Sequence, residues 1–415
     1  MNLPRQSVVV VGGGIAGTAA ALAAARGGAR VVLLDGGTGA STLATGALDD
    51  TPWMHATPAA DAVTATARAV LDALAAYALP DAGARIATTA GVLRPARGHD
   101  LALLDLAPLG GRRVGVVRCD RPEWDATAFA RAWGDGFTPL DATVLRHVDE
   151  RMLPAADFAA RHDDEARLAW LAERLRDALA RAPGFGALIV PASLGVETAK
   201  ARALSGLVGL PCGEAAGLPG GPSGLRFERA RDRALASAGV TRTAGRATVV
   251  EPHGDRWHVA REGEPPMEAA AVVLALGGLV GGGLDYTPGE AAPASVLPPA
   301  SRPPFRLGLD APSAKLGAHG RPLEIPGSLF GIPPESLAWP YSADAMMERV
   351  GILVDDDGRA APGLYAAGEL VADAPRTWLR ALESGARAGA AAAQDAVTSM
   401  PERPPSSSAR PASRP

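Results

Sequence analysis

The sequence predicts an α/β fold: a Rossmann-like dinucleotide-binding domain, with a parallel sheet and β-hairpin elements, that is interrupted by a second α/β domain. Three observations lead to this prediction. Residues 8–35 have the pattern of strand, tight turn, helix and strand. Strands and helices alternate again over residues 113–190, and an apolar run at 271–276 leads into glycines. Alternating strands and helices are typical of parallel sheets covered by helices.

The first strand, residues 8–11, runs directly into GGGIAG and then into an alanine-rich helix. In a GxGxxG turn, the first glycine permits a sharp turn, the second lets a pyrophosphate approach the backbone, and the third lets the helix pack closely on the sheet. The phosphates lie on unpaired N–H groups at the start of that helix. We therefore expect dinucleotide contacts from Gly12, Gly13, Gly14, Ile15, Ala16 and Gly17.

Asp35 ends the next strand, which covers residues 31–34. At this position a carboxylate accepts hydrogen bonds from the adenosine ribose hydroxyls. The glycines with a strand before them, a helix after them and an acid at the right distance favour dinucleotide binding over an ordinary glycine turn in a βαβ unit. This motif alone fits NAD as well as FAD.

Residues 36–50 are rich in glycine and small hydroxyl residues, which are typical of a loop that approaches a ligand closely. In flavoproteins with two dinucleotide domains, this loop runs from the ribose toward the flavin ring. The alternative is a plain surface loop. On the first interpretation, the residues that contact the flavin are Ser41, Thr42, Thr45 and Gly46.

The middle of the chain is predicted as an insertion, with residues 1–84 and 223–400 forming the dinucleotide-binding domain, 85–222 the inserted domain and 401–415 a disordered tail. Residues 61–77 are predicted as a helix, and 85–106 as antiparallel strands with a turn near Gly98. Further elements predicted in the insertion are a strand at 113–117, a helix at 125–133, a strand at 143–147, a helix at 157–181 and a strand at 187–190.

The C-terminal part is predicted to begin with a basic amphipathic helix over residues 225–239. A solvated face is favoured over anion binding for its four arginines. A hairpin at 246–251 and 256–261 follows. Next comes a buried parallel strand at 271–276, which opens into Gly277 and Gly278, and the last helix covers residues 380–397. The arginines of the basic helix are Arg226, Arg229, Arg231 and Arg233.

Composition excludes several classes of protein. The chain has 415 residues and a net charge of -4, which gives no electrostatic argument for nucleic acid binding. Two cysteines exclude a disulfide framework and a cysteine-ligated cluster within the chain, and no His or Cys cluster has metal-ligand spacing. Because the first strand begins at residue 8, we expect no cleavable signal. We expect a cytoplasmic protein, with peripheral association on the inner face of the cytoplasmic membrane as the alternative.

Three glycine-centred segments together resemble the fumarate reductase and succinate dehydrogenase class of FAD-dependent oxidoreductases: GGGIAG with Asp35, VVLALGG at 272–278 and GLYAAGE at 363–369. This resemblance implies Gly368 and Glu369 as flavin contacts, and it favours a flavin over NAD. Within the class, the chain is similar to the family of B subunits of anaerobic glycerol-3-phosphate dehydrogenase. The stretches that carry this similarity are LATGALD (43–49), LIVPASLG (188–195), LPGGPSGLRFERARDRALASAGV (218–240) and LALGGLVGGGL (274–284).

The resemblance implies a flavoprotein that works with a second flavoprotein subunit and an iron–sulfur subunit. Together they would oxidise a small phosphorylated polyol, sn-glycerol 3-phosphate, to dihydroxyacetone phosphate and pass the electrons to quinone. Family descriptions assign FMN to this subunit. The segment from Gly12 to Asp35 is typical of a site for adenosine diphosphate, which FMN lacks, so FAD is favoured and FMN is the alternative.

The sequence identifies no catalytic base. None of the seven histidines lies in a motif, and each is interpreted as a surface or structural residue: His55, His99, His147, His162, His253, His258 and His319. Candidate phosphate ligands are Arg94, Arg97, Arg226 and Arg380, although any one of them is more typical of a solvated arginine. Two alternatives to the complex therefore stay open: a self-sufficient FAD oxidoreductase of another small acid or amine, and a flavin-binding assembly subunit without its own catalysis.

Overall fold

A computed structural model describes residues 7–49, 63–261, 263–278, 280–283, 285–288, 305–308, 330–331, 351–352, 354–372 and 374–398. The described helices are α1 Ile15–Arg26, α2 Ala65–Leu74, α3 Ala126–Trp133, α4 Ala155–Ala160, α5 Glu165–Arg181, α6 Ala201–Val208, α7 Pro222–Ser237 and α8 Trp378–Thr398.

The described strands are β1 Ser7–Val11, β2 Arg30–Asp35, β3 Ala47–Leu48, β4 Tyr77–Ala78, β5 Ala84–Ala87, β6 Leu93–Ala96, β7 Gly98–Asp100, β8 Val114–Val117, β9 Phe137–Leu140, β10 Ala187–Val190, β11 Cys212–Glu214, β12 Thr241–Ala244, β13 Ala247–His253, β14 Arg256–Arg261, β15 Glu264–Ala269, β16 Ala271–Leu274, β17 Asp285–Pro288, β18 Phe305–Gly308, β19 Phe330–Gly331, β20 Gly351–Ile352, β21 Arg359–Ala361 and β22 Leu364–Ala366.

The first sheet has the strand order β12-β2-β1-β16-β22-β21. The first five strands are parallel, and β21 runs antiparallel to β22. Val9 lies opposite Val32 on one side and Val272 on the other. The chain leaves β1 toward β2 and returns on the other side as β16, so β1 lies at a topological switch point, where ligands bind in sheets of this type. The predicted α/β fold with a parallel sheet is confirmed.

Helices α1 and α8 pack on one face of this sheet at close range, because small residues meet where they cross. A Cβ added to Gly385 would overlap the Ala16 backbone, and one added to Gly389 would overlap the Ala20 backbone. The opposite face packs against the antiparallel sheet β13-β14-β15, with Val250 and Val259 in the shared core. The predicted hairpin of β13 and β14 is confirmed.

The second sheet is parallel and has the order β11-β10-β8-β9. The prediction of a strand at 143–147 is wrong. The edge strand is β9, which contains Pro139. A proline lacks the N–H that a central strand needs, so it occurs at sheet edges. Helix α6 and strand β11 were not predicted. The domain boundaries at 84 and 222 stay predictions, and the tail 401–415 lies outside the described residues.

Two further predictions need correction. The helix predicted at 157–181 is divided into α4, a single tight turn and α5, because the Asp164 side chain accepts a hydrogen bond from Arg167 N (2.7 Å) and caps a new helix. The turn predicted near Gly98 lies instead between β5 and β6, where Gly91 has φ +79°, and Gly98 belongs to β7. No helix within the described residues has the length and apolar character to cross a membrane.

Candidate cofactor site

A cavity of about 340 Å³ lies at the carboxyl ends of β1, β16 and β22, where the sheet order reverses. This volume falls within the range of about 300–1,000 Å³ that is typical of ligand sites. The three glycine-centred segments of the sequence meet there. The predicted site residues that line the cavity are Gly12, Gly13, Gly14, Ile15, Ala16, Ser41, Gly277, Gly368 and Glu369.

The glycine turn after β1 depends on close backbone contacts. Gly12 has φ +116°, and a Cβ added there would overlap the carbonyl oxygen of Ala275, which follows β16. A Cβ added to Gly17 would overlap the carbonyl oxygen of Gly12. These two glycines therefore hold β1, β16 and α1 together and bring the N-terminus of α1 to the cavity.

The N-terminus of α1 faces a neutral acceptor. Ile15 N–H donates a hydrogen bond to Ser41 Oγ (2.9 Å), and the first turn of the helix contains no acidic residue. The partial positive charge at a helix N-terminus is therefore not balanced by a carboxylate of the helix itself. An anionic group such as a pyrophosphate is favoured at this place.

The other two glycine segments are joined by Glu369. Gly278 N–H donates to Glu369 Oε2 (3.2 Å), and Gly277 and Gly368 have φ +82° and +76°. Burial raises the pKa of the Glu369 carboxyl, while the charge of Arg376 and the Gly278 N–H act in the opposite direction. A carboxyl with a raised pKa takes up a proton more readily, so it can donate as well as accept hydrogen bonds to ligand hydroxyls.

Arg246 is the other charged side chain among the described residues that line the cavity. Its Nε donates to Gly36 O (2.9 Å), and its stem lies over Gly36. The arginine therefore covers the cavity next to the end of β2. This residue could not be predicted from the sequence, because its only signal is its position at the start of a hairpin strand.

Asp35 does not line the cavity. Its Oδ2 accepts hydrogen bonds from Arg242 Nε (3.0 Å) and Nη2 (2.6 Å), and its Oδ1 accepts one from Gly37 N–H (3.2 Å). Arg231 Nη1 lies 3.5 Å from Asp35 Oδ2 and donates to Gly13 O (3.0 Å). Two arginines that the sequence analysis did not place at the site therefore hold the end of β2 and the glycine turn.

The expectation of a solvated arginine face on α7 is wrong for Arg226 and Arg231, which are 3% and 4% exposed. It agrees with the structure for Arg229 and Arg233, whose side chains are about half exposed. A signal was available in the spacing, since Arg231 lies four residues from both Phe227 and Leu235 and therefore shares their buried stripe.

Arg226, on α7, forms a buried charge cluster with side chains of β7 and of β11 in the second sheet. Its Nε donates to Asp100 Oδ2 (2.8 Å), its Nη2 to Glu214 Oε2 (2.7 Å) and its Nη1 to Gly195 O (2.7 Å). Burial raises the pKa of the Glu214 carboxyl despite this pairing. Burial acts against the charge of Arg226, but the two carboxylates raise its pKa overall. Arg226 is therefore a structural link and not a phosphate ligand in this structure.

Several predicted contact residues lie outside the lining of the cavity. Thr42 Oγ1 donates to Glu228 on α7 (3.0 Å), and Gly46 (φ +94°) stands against Ser223 and Asp100. Gly17 is covered by Gly12. The roles of these residues toward a cofactor stay predictions, as do those of Asp35 and of the two others that do not line the cavity, Thr45 and Gly278.

None of the described histidines lines the cavity. His99 and His162 are buried and lie within hydrogen-bond distance of backbone carbonyls, while His258 contacts Glu251. His55 and His319 lie outside the described residues. Of the arginines considered for phosphate, Arg94 pairs with Asp49 and Arg380 with Glu383 (3.2 Å).

Residues 7–102 match the family model described as FAD dependent oxidoreductase. No curated protein sequence matches the chain significantly. Among solved structures, an oxidoreductase from Agrobacterium tumefaciens has 12% identity and a TM-score of 0.34, covering 95% of this chain and 99% of that one. A thioredoxin reductase from Gloeobacter violaceus has 14% identity, a TM-score of 0.34 and coverages of 96% and 97%. Mycobacterium smegmatis Sdh1 in complex with UQ1 has 15% identity, a TM-score of 0.34 and coverages of 96% and 70%.

The matched segment contains the glycine turn and Asp35, which are predicted to bind the adenosine diphosphate part of a dinucleotide, and Ser41, which is predicted to contact the flavin. The prediction of FAD as the cofactor is confirmed by this match, as is the coarse prediction of an FAD-dependent oxidoreductase. The structural similarities have TM-scores below 0.5 and add no argument about activity.

The cavity fits FAD in its chemistry. Glycine backbone lines the part next to the positive end of α1, where phosphates are favoured. The carboxyl of Glu369 lies beside Gly278 and could bind hydroxyls. Leu276, Trp378 and Ala381 provide apolar surface for a flat ring system. FMN lacks the adenosine that the end of β2 is predicted to recognise.

Proposed function

We propose that this chain, an FAD-dependent oxidoreductase by the match of residues 7–102, is the flavoprotein subunit of a glycerol-3-phosphate:quinone oxidoreductase. It would support the oxidation of sn-glycerol 3-phosphate to dihydroxyacetone phosphate. A second flavoprotein subunit and an iron–sulfur subunit would be its partners, and quinone would receive the electrons through them. The observation that carries the flavin part of this proposal is the convergence of three distant glycine segments on one cavity.

The substrate and the partners rest on the sequence resemblance. Two of the resembling stretches meet in the structure through one residue. Arg226, in the stretch 218–240, donates to Gly195 O at the end of the stretch 188–195. Glu214, which pairs with Arg226, accepts hydrogen bonds from the N–H groups of Ser193 and Leu194 in that same stretch. The two stretches therefore belong to one structural unit.

The residues of this chain would bind and orient the cofactor. The N-terminus of α1 would hold the pyrophosphate, Glu369 would hold hydroxyls of the flavin side chain, and Trp378 with Leu276 would keep water from the ring. Bound FAD supplies the acceptor for the hydride that leaves the alcohol carbon. The hydroxyl proton must pass to a base, which a residue of the assembled complex would supply.

The test is anaerobic reduction of the bound flavin by sn-glycerol 3-phosphate, followed by absorbance. The chain is studied alone and together with candidate partner subunits, and the chromophore is released and identified by mass. We expect FAD, bleached by the substrate only in the assembled complex, with sn-glycerol 1-phosphate as the stereochemical control. Bleaching of the isolated chain by a different small acid or amine would contradict the proposal, as would an assembled complex whose flavin no glycerol phosphate reduces.

A further inference from the structure

We propose that Arg231 and Arg242 are positioning residues, which hold the Asp35 carboxylate for the adenosine ribose of FAD and thereby favour FAD over FMN. This inference rests on the cofactor part of the proposed function and does not depend on the substrate. It concerns two residues that the glycine motif does not include. Arg231 lies on α7, and Arg242 lies on β12, the strand beside β2.

The two arginines act on one oxygen of Asp35. Arg242 donates to Oδ2 through both Nε (3.0 Å) and Nη2 (2.6 Å), and Arg231 Nη1 lies 3.5 Å from the same atom. The Asp35 side chain is only 5% exposed. A buried carboxylate needs such partners, because its lost hydration is otherwise uncompensated.

Asp232 closes the arrangement into a ring of four charged side chains. Its Oδ1 accepts a hydrogen bond from Arg231 Nε (2.8 Å), and its Oδ2 accepts one from Arg242 Nη1 (3.0 Å). Two arginines and two aspartates balance in charge. Arg231 also donates to Gly13 O (3.0 Å), so the ring fixes Asp35 relative to the glycine turn.

The remaining oxygen, Oδ1, is left for a ligand. It accepts a hydrogen bond from Gly37 N–H (3.2 Å), and a carboxylate oxygen has two lone pairs. The flanking residues Gly36 and Gly37 both line the cavity. Gly13 lies directly against the carboxylate, because a Cβ there would lie 2.6 Å from Asp35 Cγ. The ring therefore holds Oδ2, while Oδ1, next to Gly37, keeps a lone pair for a ribose hydroxyl.

The experiment is a thermodynamic cycle on cofactor affinity. Dissociation constants of the refolded apoprotein are measured by flavin fluorescence, for FAD and for an FAD analogue without the two adenosine ribose hydroxyls. Arg242→Met should weaken FAD binding about tenfold, the weight of one hydrogen bond to a charged group, and should change the binding of the analogue by less than about twofold. Arg229→Met, an exposed arginine of α7 paired with Glu197, is the matched control and should change neither constant.

Equal weakening for both ligands would overturn the proposal, because it would assign Arg242 a structural role only. If Arg242→Met does not refold, Arg242→Lys, which keeps the charge and loses the two-pronged contact, is measured in the same cycle with the same expected pattern. The experiment uses no glycerol phosphate. A chain that passes it but is not reduced in the complex therefore contradicts the proposed function alone.

Discussion

The two parallel sheets of this chain differ at their carboxyl ends. In the second sheet, the backbone donors that follow β10 are taken by the chain itself: the N–H groups of Ser193 and Leu194 donate to Glu214, which pairs with Arg226. In the first sheet, the donor after β1, Ile15 N–H, meets only the neutral Ser41 Oγ, and glycines leave a cavity beside it.

This difference shows that a parallel sheet alone does not make a cofactor site. Where a carboxylate of the chain already lies on the backbone donors, an incoming anion would face like charge. Where the acceptor is a hydroxyl, the positive end of the helix stays available to an anion. Substitutions at either end should therefore have different consequences.

Gly12→Ala should destroy the cavity at the carboxyl end of the first sheet. The new Cβ would overlap the Ala275 carbonyl and would stand at φ +116°, so we expect a loss of unfolding free energy on the order of 5 kcal/mol and no retained FAD. Chemical denaturation and the flavin content of the purified protein measure both effects. Gly28→Ala is the matched control, because Gly28 has φ +84° but nothing within 4 Å of an added Cβ. Equal effects of the two substitutions would contradict the role given to the contact with β16.

Arg226→Met should destabilise the carboxyl end of the second sheet, because it leaves Asp100 and Glu214 buried without their cation. Removing one partner of a buried pair costs about 3–5 kcal/mol at neutral pH. The loss should shrink in acid, because burial raises the pKa of Glu214, and this carboxyl no longer needs the arginine once it has taken up a proton. Unfolding free energy against pH tests this, with Arg229→Met as the exposed control. A loss that is independent of pH would mean that the packing of Arg226, and not its charge, stabilises the fold.

Acid should weaken the second sheet through His162. Burial lowers the pKa of this histidine from 6.5 to about 4, and Arg167 acts in the same direction. A group with a depressed folded pKa contributes stability that is present above pH 6.5 and is lost as the pH falls toward 4. The loss is on the order of 3 kcal/mol. His162→Leu should lack this component, whereas the exposed His147→Leu should retain it. If the unfolding free energies of the wild type and of His162→Leu changed with pH in the same way, this prediction would be wrong.

Ser41→Asp should make the carboxyl end of the first sheet resemble that of the second. It places a carboxylate at the N-terminus of α1, just as Glu214 lies on the backbone donors of the second sheet. We expect the apoprotein to gain about 0.5–1 kcal/mol and FAD affinity to fall roughly 30-fold, a change on the order of 2 kcal/mol. Ser41→Asn introduces a side chain of the same size as Asp but without its charge, and should change FAD affinity much less. Equal affinities in the two variants would show that no phosphate approaches this helix.

Local signals in the sequence were sufficient for the first sheet and for most of the cavity. Tight turns need glycine wherever they occur, so Gly12, Gly277 and Gly368 could be selected without knowing their partners. The parallel strand β16 could be predicted because its sequence is apolar throughout.

Contacts between residues far apart in the chain could not be predicted from local sequence patterns. Arg226 pairs with Asp100, 126 residues away, and Arg242 with Asp35, 207 residues away, so no local pattern marks Arg226 as buried or Arg242 as part of the site. The edge strand β9 was missed for a related reason: whether Pro139 is tolerated depends on its place in the sheet, which tertiary structure decides.

The most direct test of the central claim is an experimental structure of the purified protein with its chromophore. The account predicts one FAD per chain, with the pyrophosphate at the N-terminus of α1, the adenosine ribose beside Asp35, and the flavin ring between the Gly277 and Gly368 segments. A flavin located elsewhere in the chain, or one that contacts the first glycine turn but neither of the other two segments, would contradict it.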